Sequence, residues 1–115
     1  MNPGRKNIRF IQGDTWSISP RWKIGSNYVN VTGYTAKMQV RIATTSTSVI
    51  IEMSTANGRI TVSGIDGMFT VALTSAETTN IPVGNYVYDL EVTSPGGTRT
   101  TLLQGGFSVE AEVTQ

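Results

Sequence analysis

The stretch "NYVNVTGYTAKMQVR", residues 27–41, constrains the fold more than any other part of the chain. Beyond the turn at Thr32–Gly33, Ala36, Met38, Val40 and Ile42 share one parity, and Thr35, Lys37, Gln39 and Arg41 share the other. Successive side chains on a strand point to opposite faces, so this alternation predicts a strand with one buried and one polar face. Such a strand is stable only inside a sheet packed against a second layer.

The same period recurs along the chain. Residues 5–12 place Ile8 and Phe10 opposite Arg9 and Ile11. Residues 15–24 place Trp16, Ile18, Pro20, Trp22 and Ile24 on one face, with Pro20 implying an edge or a bulge because it donates no ladder hydrogen bond. Further strands are predicted at 28–31, 34–43, 49–54, 59–63, 68–74, 85–94 and 98–110, the last bulged at Gly105–Gly106. Turn residues punctuate them. Asn57–Gly58 predicts a type I′ hairpin joining 49–54 to 59–63. Residues 75–81 are the one plausible helical turn, capped by Ser75 and closed by Pro82 and Gly84.

About eight or nine short strands with turns every 8–12 residues predict an all-β fold, a single β-sandwich over residues 1–115. "PVGNYVYDL" favours an immunoglobulin-like arrangement. Tyr86 stands where such sandwiches carry their tyrosine corner, Tyr88 takes the slot of the second cysteine, and Trp22 is the candidate core tryptophan. Met38, Val40, Tyr86, Tyr88 and Leu90 join Trp22 as expected core residues.

Composition narrows the chemistry. Cysteine and histidine are both absent, so disulfides are excluded and the commonest general base and metal ligand are missing. Nine basic against eight acidic residues is not the footprint of a nucleic-acid binder. No apolar run has the length of a membrane helix, and "MNPGRKNIRF" has no apolar core of a signal peptide. The chain is expected to be no enzyme, to take no cofactor, metal or small-molecule substrate, and to bind neither nucleic acid nor membrane.

The candidate sites have plain structural readings. Asp89 and Glu91 lie two apart on one strand face, an acid pair or cation site in principle, but they read better as a solvated face crossing near Lys37 or Arg41. "GIDG" lacks further oxygen ligands at calcium spacing, and "SPGGT" and "LQGGF" lack the helix and lysine of a phosphate loop. Trp16 and Trp22 could form a carbohydrate-stacking platform, yet their parity with Ile18 and Ile24 favours the core. What remains is surface for assembly. The expected interface residues are Asn2, Pro3, Arg5, Lys6 and Arg9 at the N-terminal end, Lys37, Gln39 and Arg41 on the polar strand face, and Glu110, Glu112, Val113 and Gln115 at the C-terminal end. The segments 1–5 and 110–115 are expected to serve in assembly.

"IQGDTWSISPRWKIGSNYVNVTGYTAKMQVRI", with its Q-G-D-T-aromatic start and V-T-G-Y-x-A-x-M-Q-V-R strand, resembles tailed-bacteriophage virion proteins. Among these it is similar to the N-terminal domain of baseplate upper proteins and to small tail-associated proteins. "NGRITVSGIDGMFTVALTSAETTNIPVGNYVYDLEV" fits the same pattern. The resemblance implies a β-sandwich module that docks onto other virion structural proteins in multiple symmetric copies, within a particle assembled in the bacterial host cytoplasm. Baseplate upper proteins continue into a long extension that holds the receptor-binding protein; this sequence ends at Gln115 without one. The implied role is therefore a small adaptor of the tail, neck or baseplate. A capsid decoration (cement) protein is the alternative, and a carbohydrate-binding module a further one.

Overall fold

The computed structural model describes residues 4–113. In chain order the elements are β1 (Gly4–Arg5), β2 (Ile8–Ile11), β3 (Trp16–Ile18), β4 (Lys23–Ile24), β5 (Asn27–Tyr28), β6 (Thr35–Arg41), β7 (Ile51–Ser54), β8 (Ile60–Ser63), β9 (Met68–Leu73), α1 (Ser75–Thr79), β10 (Gly84–Thr93) and β11 (Arg99–Glu110). A large sheet runs β1-β11-β10-β6-β7, with β2 also on β11; a small sheet runs β3-β9-β8. This is a β-sandwich with the strand partition of an immunoglobulin-like fold: a B-E-D layer against an A′-G-F-C-C′ layer.

The predicted alternation holds where it is longest. On β10, Tyr86, Tyr88, Leu90 and Val92 are buried while Asn85 and Asp89 are exposed. On β6, Ala36, Met38 and Val40 are buried, but Ile42 lies beyond the strand end and is 63% exposed. From the small sheet, Trp16, Ile60, Phe69, Val71 and Leu73 complete the core. The tyrosine corner is present: the Tyr86 hydroxyl donates to the Pro82 carbonyl at 2.6 Å.

Several details differ from expectation. Residues 15–24 are not one strand; the ladder stops after Ile18, and Pro20 marks the break before the β4–β5 hairpin. Trp16 rather than Trp22 is the core tryptophan, 9% exposed and packed on Phe10 and Phe107, while Trp22 is half-buried edge-on to Tyr34. The strand foreseen at 28–31 is reduced to Asn27–Tyr28, and Val31 enters the core from the following loop. Helix α1 is capped by Thr74, not Ser75, in a full capping box with Glu77.

Asn57–Gly58 does not close a hairpin. β7 belongs to the large sheet and β8 to the small one, so this turn carries the chain between layers. Only Gly58 has positive φ (79°), whereas a type I′ turn needs it at both central residues. The Asn57 side chain is used instead to accept from the Ser54 and Arg59 amides.

The bulge is also displaced. Pairing of β10 with β11 runs unbroken through Gly105 and Gly106; it slips where Leu90 faces Leu103 and Glu91 faces Thr101, leaving Leu102 as the extra residue. The two glycines have another task. β1 and β2 form one parallel edge interrupted at Lys6–Asn7, and a Cβ on Gly105 would collide with the Lys6 carbonyl. There the Asn7 side chain accepts from the Gly106 amide at 3.0 Å, and the Tyr88 hydroxyl donates to the Lys6 carbonyl at 2.6 Å.

The QGD turn is held by α1. Gln12 donates to the Ile81 carbonyl, the Gly13 amide to the Thr78 hydroxyl, and Ser75 to the Gly13 carbonyl. Thr78 is fully buried and also donates toward the Asp14 and Ser75 carbonyls. Thr78→Val keeps the shape but strands the Gly13 amide, so it should cost about 1–3 kcal/mol in urea unfolding. Gly105→Ala should cost about 2–4 kcal/mol, because a backbone carbonyl cannot yield as a flexible side chain can. Both are read as a shift of the urea midpoint at unchanged slope.

Candidate functional site

The alternation that fills the core necessarily builds a polar wall on the other side of the large sheet. Register sets its layout. Arg5 faces Gln104, Gln104 faces Asp89, Asp89 faces Gln39, and Gln39 faces Glu52, giving one transverse row over five strands. Glu91 faces Lys37 and Val87 faces Arg41 in the neighbouring rows. All of these residues except Glu52 line a groove of about 620 Å³, to which Thr44, Arg99 and the backbone around Gly105–Gly106 contribute.

Two cations are oriented by the fold. Arg41 donates from Nη1 to the Ser46 carbonyl and from Nη2 to Gln39 Oε1, both at 2.6 Å. Gln39 passes the chain on, donating from Nε2 to Glu52 Oε1 at 2.8 Å. On the other wall Arg99 approaches Glu91 at 3.6 Å and stays 71% exposed. Among the described residues no side chain donates a hydrogen bond to the Asp89 carboxylate at the floor. Its pKa is raised, chiefly because the groove walls displace water from it and secondly by Glu91, with Arg41 offsetting part.

The expected interface residues separate into groups. Arg5, Lys37, Gln39 and Arg41 come together in the groove. Lys6 lies at the interruption of the edge strand, where its carbonyl serves Tyr88. Arg9 and Glu110 pair with each other at 2.6 Å on the exposed β2–β11 edge. Glu112 and Val113 are exposed beyond β11. Asn2, Pro3 and Gln115 lie outside the described residues.

Asp89 and Glu91 do cross next to Lys37 and Arg41, as the solvated-face reading had it, and they form part of the groove. Arg99 and Gln104 were missed. Without the bulge Arg99 would point inward; the extra Leu102 turns Arg99 and Gln104 to the same face, and no local residue pattern marks that position.

Trp16 is packed in the core, as its parity favoured, and neither it nor Trp22 is laid open on the surface as a carbohydrate platform would require. Among the described residues the exposed aromatic is Tyr28 on the β4–β5 hairpin, with the Arg21 guanidinium and the Lys23 ammonium 5.2 and 4.8 Å from its ring centre. Among the described residues no group of three acidic side chains is placed to hold a metal ion, and no helix is long and apolar enough to cross a membrane.

Asp89→Asn tests the electrostatics. A raised carboxyl pKa in the folded state means that ionisation opposes folding, so the variant should be more stable than the parent at neutral pH. The gain should disappear below about pH 3.8, where the carboxyl is protonated folded and unfolded alike. Urea midpoints at pH 7 and pH 3 check the sign.

No family model and no curated protein sequence matches the chain. Solved structures do. CopC from Methylosinus trichosporium OB3b is 14% identical, with 95% of this chain and 88% of that one covered at a TM-score of 0.52. Murine CRIg is also 14% identical, with 96% and 93% covered at a TM-score of 0.44. The first of these likenesses shows the sandwich fold and nothing further.

Proposed function

We propose that this sandwich is a structural docking module of a tailed-phage virion, acting by geometry and not by catalysis. The carrying observation is the polar wall of the large sheet, with its groove of about 620 Å³ bordered by side chains oriented from four strands. A wall of oriented Arg, Gln, Asp and Glu groups suits recognition of another protein surface, where polar pairs set register and partner choice. The sequence likeness to baseplate and tail-associated modules supplies the setting. In that setting the chain is a small adaptor at the tail, neck or baseplate, assembled in the bacterial host cytoplasm. Repetition in a symmetric particle multiplies interfaces that are individually weak.

The test is the purified particle. Mass spectrometry of virions should detect the polypeptide in multiple copies, and imaging should place its density in a ring at the tail, neck or baseplate. Density spread over the capsid lattice would replace the adaptor reading with the decoration reading. Absence of the polypeptide from particles would overturn both.

A further inference from the structure

The groove also carries information about what it holds. Its cations stand on opposite walls: Arg5 and Arg99 on the β1–β11 side, Lys37 and Arg41 on the β6 side. Its carboxylates, Asp89 and Glu91, lie between them on β10. Four cations against two carboxylates leave the groove positive at its rims and negative along its middle. From β1 to β6 the floor spans four strands. At about 4.8 Å per strand it is about 14 Å wide, which about four or five residues of extended chain cross.

Resting on the docking reading above, we propose that the groove binds an extended segment of a partner protein with acidic residues four apart and a neutral polar residue midway, a pattern (Asp/Glu)-x-(Ser/Thr/Asn)-x-(Asp/Glu). Side chains two apart on an extended chain share a face, and those four apart lie about 13 Å from each other. That separation sets one carboxylate against each basic wall. The middle side chain then lies over Asp89, where a hydroxyl or amide can donate to the unpartnered carboxylate and a third acid is repelled. A lysine-bearing segment meets the opposite pattern: both ends face cations. A groove lined mostly by charged and polar side chains, whose one aromatic, Tyr88, is buried, favours such a peptide over a sugar, which stacks on exposed aromatics.

The experiment titrates isotope-labelled protein with three acetylated and amidated pentapeptides, Glu-Ala-Ser-Ala-Glu, Glu-Ala-Glu-Ala-Glu and Lys-Ala-Ser-Ala-Lys, at low ionic strength, following amide shifts by NMR. The first should bind saturably with shifts confined to the groove strands, the second more weakly, and the third should not bind. Arg5→Ala and Arg41→Ala should each weaken the first peptide about three- to five-fold, the size of one exposed charge pair. Arg5 is the safer variant because it is exposed on the edge strand β1, and the spectrum itself reports that the fold is intact. In Asp89→Asn the difference between the first two peptides should shrink or invert. No saturable binding of the first peptide, shifts outside the groove, equal binding of the lysine peptide, or indifference to both arginine variants overturns the proposal. Failure here leaves the location of the chain in virions untouched, and absence from virions leaves the peptide titration unaffected, so the two readings fall separately.

Discussion

Phe107 joins the two layers of this sandwich, and the rest of the structure is arranged around that contact. Its ring lies 5.3 Å from Phe10, 5.8 Å from Trp16 and 6.3 Å from Tyr88, each edge-on. Trp16 comes from the small sheet and the other rings from the large one. Immunoglobulin domains commonly bridge the strands that correspond to β3 and β10 with a disulfide. This chain has no cysteine. Aromatic pairs of this geometry contribute about 0.5–1.5 kcal/mol each beyond the area they bury, so the cluster ties the two layers together where a covalent bridge would otherwise stand. Tyr88 needs a partner for its hydroxyl once its ring is buried, and finds it in the Lys6 carbonyl. Burial alone pushes that phenol up to about pKa 12, so it remains a donor at any ordinary pH.

That contact constrains the outer face as well. Tyr88 and Leu90 cannot face Phe107 and the core unless Asp89 and Glu91 face outward, since the pleat allows no other arrangement. The core and the groove are thus two readings of one register. A slip of one residue on β10 would bury Asp89 and expose Leu90, which sets a heavy penalty against any alternative pairing. The Leu102 bulge is the single departure from strict alternation in the β10–β11 pair. It permits Arg99 and Thr101 to lie on the same face as Gln104, and so turns a cation from the strand's start to the face that carries an amide from its middle.

Much of this was legible from residues alone. The alternation of β6 and β10, the tyrosine corner and the helical turn after β9 follow from local periodicity and turn chemistry, which a single strand carries in full. What escaped was anything decided between strands. Asn57–Gly58 has hairpin chemistry, but whether the next strand folds back or crosses to the other layer depends on which core needs Ile60. Trp16 and Trp22 share a parity, and only the break at Pro20 separates them, sending one to Phe107 and the other to Tyr34. Gly105–Gly106 was recognised as special for the wrong reason: the glycines make room for a neighbouring backbone and leave their own ladder with β10 unbroken. The groove was half legible, because Lys37, Gln39 and Arg41 lie on one strand, whereas Arg99 and Gln104 depend on the bulge.

The crossover at Asn57 also shields part of the β7 edge of the large sheet. An edge strand exposes unpaired amides and carbonyls that invite another strand. On β7 two of those groups, the Ser54 amide and the Glu52 carbonyl, are occupied. Asn57 accepts from the Ser54 amide and donates to the Glu52 carbonyl, to which Arg59 also donates from Nη1. Arg59 is held in turn by Glu77, the acidic half of the α1 capping box. The Thr74 amide and the Arg59 guanidinium together hold the Glu77 carboxyl below its ordinary pKa. A depressed carboxylate pKa contributes stability above its unfolded value and loses it as pH falls through the folded one. One carboxylate therefore serves the helix cap and the sealed edge at once, and acid strips both together. With those two groups capped by side chains, strand addition is disfavoured at this end of β7, while the polar wall beside it stays exposed.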